Sequence, residues 1–185
     1  MKVLGISGSL RRDSWNLQVL RAAGDLLPAG VELEPWDGLR EIPPYDEDDD
    51  VQPAPAAVAR LRDAIAGADA LLVSTPEYNS SVPGALKNAI DWASRPLATS
   101  VLRGKPVAVV GASTGAFGAV WAQAELRKVL AATGARVVEG EVSFGHAPTR
   151  FDEAGELVDR ELRGQLAELL EALAAEARTR LVAVA

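Results

Sequence analysis

With 185 residues, 48% of them apolar, the chain can bury a sizeable core without a disulfide or metal to staple it. Its formal net charge of −7 argues against a protein that tracks a nucleic-acid backbone, because such proteins need a basic footprint. The lack of cysteine removes disulfide frameworks, thiolate nucleophiles and thiolate-held metals, and a single histidine, His146, leaves no multi-histidine centre.

In chain order, Val3–Ile6 is the first strand-like run. It is too short for a signal-peptide core, and no apolar run is long enough to span a bilayer, so the expected location is the cytoplasm. Helical spacing follows at Leu17, Leu20 and Leu27, then the alternating run Val31–Trp36. The stretch Asp37–Pro55 is irregular. Its acidic run Asp46–Asp50 reads as a solvated loop, since it lacks the ligand spacing and glycine turn of a calcium loop. Val58, Leu61 and Ile65 mark the next helix, and Ala70–Ser74 the next strand. Leu86, Ile90 and Ala93 mark another helix, Val107–Gly111 a strand, and Ala124 to Leu130 a helix. Arg136–Val142 reads as a fifth strand, and Leu162, Leu166, Leu169, Leu170 and Leu173 form the stripe of a last helix, with a frayed tail after Arg178.

Regular strand–helix alternation predicts an α/β fold, a parallel sheet with helices on both faces, in one domain over residues 1–185. The first, third and fourth runs are continuously apolar, as for strands buried on both sides, whereas the second and fifth alternate, as for edges. The doubly wound order 2-1-3-4-5 satisfies this, and it makes the loops after strands one, three and four the expected ligand-facing edge.

All three loops are unusual. The first, Ser7 to Asn16, joins a strand to a helix and carries hydroxyls and Arg11 and Arg12, which suits a phosphate at a helix N-terminus. The plainer reading has Asp13 or Ser14 capping the helix and the arginines solvated. The loop is neither a Walker motif nor Gly-x-Gly-x-x-Gly. The third-strand loop, Thr75 to Gly84, has two prolines that stiffen the backbone into a wall suited to the edge of a planar ring. The fourth-strand loop, Gly111 to Gly118, is glycine-rich and lets the backbone approach a ligand closely.

Together these pieces resemble the NADPH-dependent FMN reductase family, particularly its quinone and chromate reductases. The similarity rests on Gly8-Ser9-Leu10-Arg11 with Ser14 and Asn16, on Ile42-Pro43 with Tyr45-Asp46, and on the long run from Pro76-Glu77-Tyr78-Asn79 through Ser81-Val82-Pro83-Gly84 to Leu86-Lys87-Asn88-Ala89-Ile90-Asp91-Trp92. Gln123, Leu126 and Arg127 follow at the family's spacing. The resemblance implies a flavodoxin-like, three-layer α/β/α sheet carrying FMN, with NADPH or NADH as co-substrate. Ser9, Arg11, Ser14 and Asn16 would hold the FMN phosphate, with Leu10 and Trp15 beside them. Pro76, Glu77, Tyr78 and Asn79 would line the isoalloxazine ring chiefly through backbone groups, with Ser113, Thr114 and Gly115 on the other side. No side-chain catalyst and no metal are implied, because the flavin takes hydride at N5 and passes two electrons to a small acceptor such as a quinone, chromate, an azo compound or free flavin. The family also implies a homodimer or homotetramer. The stretch Gly118-Ala119-Val120-Trp121 departs from the family's usual Gly-Gly-x-Arg, and Glu125 stands where a histidine is common.

Other classes remain open at this point. A flavodoxin-type carrier would bind FMN without turning over NADPH, and a regulatory flavin module would turn over nothing. A flavin-free N-glycosidase or deoxyribosyltransferase on a similar sheet would use Glu77 as nucleophile.

Overall fold

Apolar side chains that alternate between two faces decide the architecture. The computed structural model describes residues 1–184. Its strands are β1 (Lys2–Ser7), β2 (Glu32–Trp36), β3 (Ala70–Thr75), β4 (Pro106–Ala112), β5 (Arg136–Val137) and β6 (Ser143–Phe144). The helices are α1 (Trp15–Leu26), α2 (Ala56–Ala66), α3 (Gly84–Ala93), α4 (Val120–Ala132) and α5 (Arg160–Val184). The sheet is parallel, in the order β2-β1-β3-β4-β5, with β6 also pairing β4. This is the flavodoxin-like doubly wound order that strand hydrophobicity predicts. Every residue of β3 and β4 is buried, while β2 is largely exposed.

The period of two along each strand sends Val3, Leu72, Ala108 and Val110 to one face, where Leu20 of α1 and Leu166, Leu170 and Leu173 of α5 cover them. Leu4, Leu71, Val73, Val107 and Val109 face the other side, under Leu61 of α2, Leu86 and Trp92 of α3, and Leu126 of α4. No helix among the described residues is long and apolar enough to cross a membrane.

Three details differ from the sequence-based expectation. The run Arg136–Val142 is not one strand: β5 ends at Val137, and strand pairing with β4 resumes as β6 at Ser143. Between them Gly140 adopts a positive φ of 134°, and its carbonyl accepts a hydrogen bond from Arg127 Nη2 at 2.7 Å. The last helix, in turn, continues past Arg178 to Val184 instead of fraying there. The acidic run is also less free than expected, since Asp46 caps a short 3-10 turn and Asp50 pairs with Arg62 at 3.0 Å.

Candidate functional site

The loops that follow β1, β3 and β4 converge at the carboxyl edge of the sheet on a cleft of about 160 Å³. Ser9, Arg11, Ser14, Trp15 and Asn16 line it from the first loop, Pro76, Glu77 and Tyr78 from the second, and Ala112, Ser113 and Thr114 from the third. Leu10 lines a neighbouring cleft instead. Asn79 sits at the exposed tip of a turn, and the Gly115 carbonyl is turned inward, accepting from His146 N at 2.8 Å.

Each wall has a local cause. The Ser14 hydroxyl caps α1, accepting from Asn16 N at 3.2 Å, which leaves the first turn of the helix aimed at the cleft. Gly8 N donates to Ser74 O at 2.8 Å and fastens the first loop to the end of β3. Trp15, half-buried, stacks on Phe151 with ring centroids 5.8 Å apart and supports the floor. In the second loop, Tyr78 and Ser81 exchange two backbone hydrogen bonds of 3.2 Å around Asn79 and Ser80, both at positive φ. This is the two-residue turn that primed hairpins use, and asparagine tolerates that conformation well.

The Asn16 carboxamide is committed to the frame. Its Nδ2 donates to Ala112 O at 3.0 Å, and its Oδ1 accepts from Ala112 N at 3.1 Å and from Ser74 Oγ at 2.9 Å. One buried side chain therefore ties α1 to the ends of β3 and β4. Glu77 has a comparable task. Its Oε2 accepts from Trp121 N at 3.1 Å and Ala122 N at 3.0 Å, capping α4 and fixing the second loop against the third. The carboxylate oxygen so engaged is a poor glycosidase nucleophile, which removes the support for that class. From the opposite direction, Glu125 Oε2 accepts from Ser81 Oγ at 2.6 Å and Val82 N at 3.3 Å. The hydrogen bond from Ser81 is the main reason the Glu125 carboxyl lies below its ordinary pKa, with the Val82 amide next.

Sequence reasoning did not single out the segment behind the third loop. Gly118 has φ 58°, and a Cβ there would lie 2.5 Å from the Ser143 carbonyl carbon. Ala147 N donates to Ser113 O at 3.0 Å, and Gln123 Nε2 donates to Gly118 O at 3.1 Å and Ser143 Oγ at 2.8 Å. The one legible signal was Gly145, whose added Cβ would stand 2.0 Å from Ala116 O. Other residues of the motif prove architectural: Asn88 and Trp92 both donate to Pro43 O, at 2.8 and 2.9 Å, and hold the 42–45 segment on α3.

The donor set fits FMN. One end offers the Arg11 guanidinium, the Ser9 hydroxyl and the start of α1 to a phosphate, and the other is a slot between two braced backbone walls, suited to a flat ring.

A doubly wound sheet with such a cleft at its switch point defines a flavodoxin-like nucleotide-cofactor protein. The family model described as NADPH-dependent FMN reductase matches residues 1–149, and the chain belongs to that family. An NAD(P)H-dependent FMN reductase of Pseudomonas aeruginosa is 46% identical, over 94% of this chain and 93% of that protein. A 2-hydroxy-1,4-benzoquinone reductase of a Burkholderia species is 40% identical, over 98% and 99%. Among solved structures, the flavoenzyme NAD(P)H:(acceptor) oxidoreductase FerB of Paracoccus denitrificans superposes with a TM-score of 0.86 at 34% identity, covering 96% of this chain and 97% of that one.

Proposed function

We infer that the protein is an FMN-dependent NAD(P)H oxidoreductase that reduces a small acceptor of the quinone class. The observation that carries this reading is the cleft itself: phosphate-type donors and a braced, backbone-walled slot meet at one edge in a chain of this family. Bound FMN would supply the two-electron chemistry.

The chain's own residues would position that cofactor. Ser9, Arg11 and the first turn of α1 hold the phosphate, Ser14 by capping that turn and Asn16 by anchoring it to the strand ends. Pro76, Glu77 and Tyr78 present backbone groups to one edge of the ring, Ser113 and Thr114 face them, and Trp15 floors the site. Leu10, Asn79 and Gly115 contribute at the margin through loop shape. The Glu77 cap fixes the second loop against α4, so that wall of the slot needs little reorganisation when the ring is seated. Tyr78, 51% exposed, borders the mouth where coenzyme and acceptor would alternate.

We also place the protein in the cytoplasm as one FMN-binding domain that assembles as a homo-oligomer. The exposed pair Phe117 and Trp121, with ring centroids 5.0 Å apart, supports such a contact. A monomer by analytical ultracentrifugation at micromolar concentration would count against the assembly. The function is tested by the absorption spectrum of the purified protein, its bleaching by NADPH without oxygen, and its recovery on adding a quinone. A colourless protein that takes up no added FMN would overturn the reading, and a flavoprotein that NAD(P)H cannot bleach would make it a carrier.

A further inference from the structure

A second cleft, of about 260 Å³, lies on the far side of the first loop, between that loop and the segment that follows β2. Trp36, Asp37 and Arg40 form one wall, and Leu10, Arg11 and Arg12 the other. We propose that this cleft binds the adenosine end of NADPH, with Arg12 and Arg40 on the 2′-phosphate, and so selects NADPH over NADH. The proposal rests on the reductase reading and supplies the coenzyme preference that reading leaves open.

Charge is the first reason. The chain carries a net −7, yet three guanidiniums gather at this cleft. None of the three forms a salt bridge with a carboxylate among the described residues. Guanidinium forks match the oxygens of a phosphate monoester, and three of them against the single carboxylate of Asp37 leave the cleft a net positive charge. Arg40 is also held in place, because its Nη2 donates to Leu10 O at 2.7 Å and so joins the two walls.

Shape is the second reason. The Trp36 indole lies so close over the backbone that a Cβ on Gly38 would stand 2.7 Å from its Cζ2. A ring seated that firmly offers a purine a surface at little entropic cost. The Asp37 carboxylate beside it can accept from the ribose 3′-hydroxyl, which the 2′-phosphate leaves free. Continuity is the third. Ser9 and Arg11 line both clefts, so an elongated ligand seated here reaches the first cleft. Arg11 serves the FMN phosphate in the first cleft, which leaves Arg12 and Arg40 for a second phosphate. NADPH differs from NADH only by the 2′-phosphate, far from the reacting ring, so contacts here alter coenzyme choice without touching the chemistry.

The test uses the FMN-loaded full chain and two probes, 2′,5′-ADP and 5′-AMP, titrated by calorimetry into the parent protein and into Arg12→Ala and Arg40→Lys. The parent should bind 2′,5′-ADP about tenfold or more tightly than 5′-AMP, as one charge-assisted contact allows. Arg12→Ala should erase most of that preference and lower the NADPH-to-NADH ratio of kcat/KM by roughly 10- to 100-fold. Arg40→Lys keeps the charge and a donor to Leu10 O but loses the fork, and should fall between. Tight 2′,5′-ADP binding in a protein that oxidises neither coenzyme would keep the site and sink the reductase reading. Equal binding of the two probes, or an unchanged coenzyme ratio in Arg12→Ala, would overturn the site while leaving the reductase intact.

Discussion

Replacing Asn16 by alanine should loosen the whole ligand edge, because this side chain is the knot between α1, β3 and β4. Asn16 is 2% exposed, Ser74 0% and Ala112 2%, so the groups it leaves behind are out of reach of bulk water. The substitution strands the Ala112 N–H, the Ala112 carbonyl and the Ser74 hydroxyl together. A buried hydrogen bond is worth about 0.5–1.5 kcal/mol net, and a stranded buried group costs about 1–3 kcal/mol, so the expected loss is about 3 kcal/mol. That is a large share of a domain stability of about 5–15 kcal/mol. In a chain of this size it lowers Tm by about 6–12 °C.

The assay is urea unfolding followed by far-UV circular dichroism, with the slope checked so that a shift in midpoint reports stability. Ser74→Ala removes a single partner and should lose about 1 kcal/mol, and the double mutant should show coupling of at least about 0.5 kcal/mol. Asn16→Asp is the sharper probe. Its carboxylate would face Ala112 O where an N–H now donates, so its pKa rises on folding and its stability deficit grows as pH increases through that raised pKa. A Tm change in Asn16→Ala below about 2 °C would refute the idea that these bonds carry the edge.

Glu77→Ala should cost about 1–2 kcal/mol by uncapping α4, while Glu77→Gln keeps an acceptor and loses only about 0.5 kcal/mol of charge–dipole attraction, both read by urea melts. Lys105 is 2% exposed, with Nζ donating to Ala68 O and to Ala66 O at 3.5 Å, and burial, followed by the nearby Arg180, holds its pKa down to about 8. Between about 8 and its unfolded value of about 10.4 the unfolded chain binds more protons, so stability should rise with pH across that window, by at most about 3 kcal/mol, and Lys105→Met should flatten the rise in pH-dependent melts. Gly118→Ala places a methyl against the Ser143 and Phe144 backbone at a positive φ, so a loss of about 2 kcal/mol or more is expected, with weaker FMN binding by fluorescence titration. Unchanged melts in that variant would mean the third loop is not seated on β6.

The strand order was legible because burial on two faces leaves a composition with no polar positions, and only the first, third and fourth runs have it. The cleft-forming loops followed from that order, and their residues do meet. What the sequence withheld is partner identity across the chain. Nothing in Pro76-Glu77-Tyr78 says that the carboxylate reaches Trp121, 44 positions away. Likewise, Arg136–Val142 alternates like an edge strand, yet β5 ends at Val137, Gly140 turns to a positive φ, and its carbonyl accepts from Arg127. Local pattern reports which face is apolar, and it is silent on the long-range partners that meet a backbone turn.

Those long-range bonds also explain how a site made largely of backbone can be stiff. Glu77 reaches from the second loop to α4, and Glu125 reaches back from α4 to Ser81 and Val82. The two carboxylates cross between the same pair of elements in opposite senses, so the second loop cannot shift against α4 without breaking bonds to both. Because the Glu125 carboxyl sits below its ordinary pKa, its brace is present above the unfolded carboxylate range and is lost as pH falls through the lowered value. Charge thus joins the second loop to α4. The slot's backbone walls are in turn tied from outside it, Ala112 to Asn16 and Ser113 to Phe144 and Ala147, and this keeps the cleft in shape in a chain with no cysteine and one exposed histidine.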